Sequence, residues 1–142
     1  FLNPHMQILG GELLDCVEVE QAYIDHSRVK IVPTFKTDLT TASLIKYSIN
    51  SWLATKVTFF NEIHELFEAS GANPDWEQFT DMLASDPRIG NSHMQVPGTD
   101  GKKGFGGHCF PKDTNALIYY AKLSGVKLDV LKKVISKNND IR

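Results

Sequence analysis

Cysteine is scarce in this chain: Cys16 and Cys109 are the only two among 142 residues. They form no disulfide framework and no paired Cys-x-x-Cys metal site, and so few thiols fit a reducing, cytoplasmic setting. Charge of one sign is lacking as well, since 15 Lys and Arg against 17 Asp and Glu leave a net charge of −2. That balance provides neither a basic footprint for nucleic acid nor a polybasic patch for a membrane. No apolar run approaches the roughly 20 residues that would span a bilayer. No Gly-x-Ser-x-Gly elbow is present, so a serine hydrolase has no support. A dinucleotide fingerprint is missing too: in GFGGHC, Cys109 stands where the third glycine of G-x-G-x-x-G belongs, and no strand precedes it. What is there is globular. Apolar residues make up 42% of a chain long enough for one domain, or a domain plus a fragment, with a real core. The chain begins at Phe1 with no leader pattern, as expected of a processed chain or a piece of a longer one.

The order of elements predicts two parts. His5 to Leu9 reads as a short strand closed by Gly10-Gly11. Glu12 to His26 reads as a helix with Leu13, Cys16, Val17 and Ile24 on one stripe, and Val29 to Val32 as a second strand stopped by Pro33. This is one βαβ-sized unit, and two strands make no stable sheet alone. After Thr37, Asp38 or Thr40 can cap a helix, and residues 43–70 contain neither Gly nor Pro. That run predicts a helix of roughly 42 Å ended by Gly71, with a broad stripe that includes Ile45, Ile49, Trp52, Phe60, Ile63 and Phe67. Asn73-Pro74 marks the start of a further helix to about Ser85, and residues 86–108 read as loop. Pro111 opens another helix ended by Gly125, and Leu128 to Ile135 carries the last.

Two constellations can carry chemistry. In GFGGHCFPKD, Cys109 falls just before a helix start, where free N–H groups and the dipole favour a thiolate, and Lys112 adds a cation. Gly104, Gly106 and Gly107 let a ligand approach the backbone. Cys109 is thus a candidate nucleophile able to form a thiohemiacetal or thioester, or else a small cysteine in a helix cap. Lys46 and Asn50, at i and i+4, share a helix face beside the apolar stripe. They are candidate oxyanion donors, or a snorkelling Lys with a solvated Asn. Lys56 falls near the middle of the stripe, a place where the sequence suggests no role. His93, His108 and Cys109 match no zinc spacing. A thiol hydrolase would need a base for Cys109, and His108, its neighbour in sequence, is poorly placed to serve.

The segments NPHMQILGG, LIKYSINSWLATKVTFFNEI, DPRIG and GFGGHCFPKDTNAL resemble, in that order along the chain, motifs of the UDP-glucose/GDP-mannose dehydrogenase family. The resemblance implies a mainly α fold: a helical dimerisation domain over 37–142, built on the long helix, after a βαβ remnant of an NAD-binding Rossmann domain over 1–36. It implies a homodimer formed through helix 43–70, with Trp52, Phe59, Phe60 and Ile63 buried between the two chains, and a cytoplasmic enzyme with a nucleotide-sugar substrate. Two NAD⁺ would oxidise the primary alcohol of a UDP-sugar to the carboxylate, UDP-glucose to UDP-glucuronate. The cofactor would be bound mainly by Rossmann segments outside this chain. By resemblance Cys109 carries the thiohemiacetal and thioester, Lys46 and Asn50 hold the oxyanions, and Asp113 helps activate the hydrolytic water. Gly106, Gly107 and Lys112 would meet the substrate, and Arg88 would reach that of a neighbouring subunit. Alternatives are a GDP-mannose or UDP-N-acetylhexosamine dehydrogenase of the same family, or a non-catalytic dimerisation module. His93 replaces an aromatic common in the family, and the loop 97–103 is longer than usual. Both bear on which sugar is taken.

Overall fold

The computed structural model describes residues 3–142. Its elements are β1 (Gln7–Gly10), α1 (Leu13–His26), β2 (Thr34–Thr37), α2 (Leu39–Ser70), α3 (Trp76–Ala84), α4 (Cys109–Leu123) and α5 (Asp129–Ile141). The fold is mainly α, with one parallel two-stranded sheet among the described residues. No helix of the described residues is long and apolar enough to cross a membrane. By contact the chain divides into two compact units, Phe1–Lys46 and Tyr47–Arg142, a division that falls inside α2.

In the first unit β1 and β2 pair in register from Gln7↔Thr34 to Gly10↔Thr37, with α1 as the crossover. The second strand lies after Pro33, not before it as the β-branched run Val29–Val32 suggested. Pro33 lacks an N–H but offers its carbonyl to the Gln7 amide at 3.0 Å, so it opens the pairing and does not end it. Val29 to Val32 stay unpaired, and Ile31 is exposed. Gly10 belongs to β1 itself, pressed against the start of α2: a Cβ there would stand 2.6 Å from the Ala42 Cβ. Of the α1 stripe only Cys16 is buried, whereas Leu13, Val17 and Ile24 face outward. One helix over two strands has too little surface to cover them.

In the second unit α2 dominates. Its 32 residues span about 48 Å. It starts four residues earlier than the Gly- and Pro-free run because Asp38 caps it, accepting from the Thr41 amide at 2.9 Å. The broad stripe divides into two faces. Phe60 and Phe67 are buried against α3, with Phe67 ring centroids 5.5 Å from Trp76 and 4.8 Å from Phe79. Trp52, Phe59 and Leu66, seven residues apart, are 63%, 53% and 65% exposed. The cap of α3 is Asp75, which accepts from the Gln78 amide at 2.8 Å. Asn73 and Pro74 precede the helix and are not its first turn. Gly125 closes α4 with φ +73°, and the Val126 amide returns to the Ala121 carbonyl at 2.8 Å, the pairing of a Schellman end. Helix α5 runs on past Ile135, burying Leu131 and Asn138.

Candidate functional site

Helix α4 begins at Cys109 itself, so the cysteine is the first helical residue and Pro111 the third, two positions further into the helix than the sequence suggested. A proline is tolerated there because the first-turn amides have no intrahelical acceptor. Cys109 is exposed and unbonded to sulfur. One turn on, and therefore on the same face, lies Asp113, which is fully buried. Its Oδ2 accepts from the Asn50 Nδ2 of α2 at 2.5 Å, and its Oδ1 accepts from the Lys112 Nζ. A buried carboxylate needs such partners, since leaving one unpaired costs several kcal/mol, on the order of 3–5. The hydrogen bond to Asp113 holds the Lys112 ammonium above its ordinary value, and the Asp113 charge, Tyr47 and Cys109 act in the same sense.

The structure therefore brings Asn50, Lys112 and Asp113 together in the face that carries Cys109. Lys46 lies four residues before Asn50 on α2, with an exposed side chain, and belongs to the first unit. Arg88 is 87% exposed and holds Asp86 through Nε and Nη2, the latter at 2.6 Å. Gly106 and Gly107 line an open hollow of about 450 Å³ together with Val57, His93, Gln95, Asp100, Phe105 and Phe110. The His93 ring sits 5.7 Å from that of Phe110; lost hydration, and secondarily the Lys56 charge, hold its imidazole below the usual value.

Sequence reasoning missed four residues. Lys56 is buried, and its Nζ donates to the carbonyls of Ile89 at 2.9 Å and Gly90 at 3.2 Å, tying the DPRIG loop to α2. Asn61 of α2 accepts from the Gly104 amide at 3.1 Å, and Asn138 of α5 bonds both backbone groups of Phe105. Arg142 donates to the carbonyls of Lys103 and Gly104 and pairs with Asp100. Each partner is a loop backbone group or a distant side chain, so no local pattern announces it.

The residues present do not fit the pyrophosphate of a dinucleotide. The hollow of about 680 Å³ at the carboxyl ends of β1 and β2 is where parallel sheets take ligands. Here Glu12, Asp15 and Asp38 line it with no Lys or Arg, a field that opposes phosphate.

The sequence profile of the UDP-glucose/GDP-mannose dehydrogenase family, central domain, matches residues 40–140, and the chain belongs to this family of nucleotide-sugar dehydrogenases. UDP-glucose 6-dehydrogenase TuaD of Bacillus subtilis (strain 168) is 35% identical over 152 aligned residues, covering 99% of this chain and 32% of that protein. GDP-mannose 6-dehydrogenase of Pseudomonas savastanoi pv. phaseolicola is 36% identical over 75% of this chain and 23% of that one. In three dimensions, a UDP-glucose dehydrogenase from the hyperthermophilic archaeon Pyrobaculum islandicum superposes with a TM-score of 0.81. It is 29% identical, over 98% of this chain and 30% of that chain. The chain thus spans about a third or less of the length of these relatives.

Proposed function

We propose that this chain is the central, cysteine-bearing segment of an NAD-dependent dehydrogenase that oxidises the primary alcohol of a UDP-sugar to the carboxylate, with UDP-glucose as the substrate. The observation that carries this reading is the Asn50–Asp113–Lys112 cluster set in the Cys109 face of α4. NAD⁺, held by parts of the enzyme outside these residues, supplies the hydride acceptor. At the aldehyde stage the Cys109 sulfur forms a bond to the carbonyl carbon, and the resulting oxyanion takes hydrogen bonds from Asn50 and Lys46. After oxidation the carbon is a thioester, which water opens, returning the thiol and releasing the carboxylate. Asp113 helps activate that water. In the resting site its two oxygens accept from Asn50 and Lys112.

Gly106 and Gly107 present backbone to the sugar, beside Lys112. Arg88, free of the protein surface apart from Asp86, extends to the substrate of a second subunit. The exposed ridge of Trp52, Phe59 and Leu66 is the face that buries against a second copy. Phe60, grouped with that ridge by sequence, is already covered by Trp76.

The test is stoichiometry. The complete enzyme carrying this segment should form two NADH per UDP-glucose and release the acid, while the 142-residue chain alone forms none. Turnover of GDP-mannose but not UDP-glucose would overturn the substrate assignment, and turnover by the chain alone would overturn the division of labour.

A further inference from the structure

Resting on that reading, we infer that Asn138 and Asn61 are positioning residues that fix the glycine turn leading into Cys109. The stretch Gly104–Phe105 is buried yet belongs to no helix or strand, so its amides and carbonyls have no ladder to satisfy them. Two buried asparagines from different helices do so instead. Asn138 Oδ1 accepts from the Phe105 amide at 2.6 Å, and its Nδ2 donates to the Phe105 carbonyl at 3.0 Å, so that one side chain closes on both backbone groups as a neighbouring strand would. Asn61 Oδ1 accepts from the Gly104 amide at 3.1 Å, and its own Nδ2 is fixed on the Val57 carbonyl at 2.8 Å.

The fit leaves no slack. Gly104 has φ +71°, and a Cβ built on it would stand 2.5 Å from Asn138 Oδ1, so the glycine and the asparagine require each other. One turn beyond Asn138, the Arg142 guanidinium covers Gly106, where a Cβ would come within 2.0 Å of Nη2. From Phe105 only Gly106, Gly107 and His108 separate this anchor from Cys109. Two of the three are glycines, which cannot correct an error in the path through packing of their own. Where the anchored backbone goes, the sulfur and the sugar-facing glycines follow, and a displacement of about 1 Å at reacting atoms can cost on the order of 10²-fold in rate.

The experiment compares Asn138→Leu and Asn138→Asp with the wild type. In the 142-residue chain, amide hydrogen exchange should show Gly104 and Phe105 exchanging at least about tenfold faster in Asn138→Leu, with Ala121 of α4 changed less than about twofold. Asn138→Asp keeps the acceptor for the Phe105 amide and should keep its protection within about threefold. In the complete enzyme Asn138→Leu should lower kcat by about 10- to 100-fold with KM for the nucleotide sugar within about threefold, and Asn138→Asp should recover part of kcat. The inference is overturned if the two loop amides keep wild-type rates, if all amides accelerate together, or if kcat is unchanged. Should Asn138→Leu fail to fold, Asn138→Asp decides: wild-type kcat, or lost Phe105 protection, overturns it. A wild-type enzyme inert toward nucleotide sugars would overturn the proposed function, and the exchange rates would still decide the anchoring.

Discussion

Replacing Lys56 by Met should destabilise the second unit, and do so increasingly as pH rises. Lys56 is 6% exposed, and its ammonium answers two carbonyls and no carboxylate, Ile89 at 2.9 Å and Gly90 at 3.2 Å. Hydrogen bonds from a charged donor contribute about 1.5–3 kcal/mol each, a gross of roughly 3–6 kcal/mol for the pair. Against this stands the loss of hydration on burying an ammonium, several kcal/mol, which Met avoids while it keeps the stem's packing. The two carbonyls sit in a partly exposed loop and can turn to water. The net loss is then about 1–2 kcal/mol, or roughly 3–8 °C in Tm for a chain of this size.

Burial holds the Lys56 amine below the ordinary lysine value of 10.5. Between the folded and unfolded values the unfolded chain binds the extra proton, so the native state gains stability as pH rises through that window. The Tm difference between wild type and variant should therefore widen from neutral pH toward 10.5. Differential scanning calorimetry of both proteins at pH 7, 8, 9 and 10 makes the comparison, and the subtraction removes titrations common to both, Lys112 among them. A variant as stable as the wild type, or a difference that narrows with pH, would refute the assignment of Lys56 as a buried tie between α2 and the DPRIG loop.

Three further outcomes follow from the same geometry. Asn50→Ala removes a hydrogen bond to a buried carboxylate and should cost about 1.5–3 kcal/mol in urea unfolding, where an unchanged midpoint would contradict the role given to Asp113. Gly10→Ala places a Cβ against Ala42 and should destabilise the first unit by about 1–3 kcal/mol, read as faster exchange of the Leu9 and Gly11 amides; wild-type rates would count against that close approach. On the proposed dimer, Trp52→Glu with Phe59→Glu should shift sedimentation from dimer to monomer with the helical circular dichroism retained, whereas a monomeric wild type would contradict the dimer and a persistent dimer would contradict this interface.

The helices were legible because glycine and proline punctuate them: Gly71 and Gly125 end α2 and α4 where the sequence placed those ends. Asp38 was legible as a cap, although the Gly- and Pro-free run suggested a later start. The second strand was misplaced because β-branched residues mark extended chain, whereas pairing is decided by which backbone meets β1, and that is Thr34–Thr37. Phe59 and Phe60 could not share one face, since neighbours stand about 100° apart on a helix, and the structure sends one outward and one inward. The Cys109 segment stood out through its glycines and proline. Its supports did not, because Asn61 and Asn138 act on backbone groups 43 and 33 residues away, contacts that no periodicity encodes.

The central claim is that Cys109 carries the sugar covalently, and mass spectrometry of an acid-quenched reaction tests it most directly. The complete enzyme, mixed with NAD⁺ and UDP-glucose and stopped during turnover, is digested and its cysteine peptides are weighed. The account predicts a UDP-glucuronyl thioester on the peptide containing Cys109, removed by hydroxylamine and absent from Cys109→Ser, which no longer releases the acid. Undiminished acid release by Cys109→Ser, or an adduct on another residue, would contradict it.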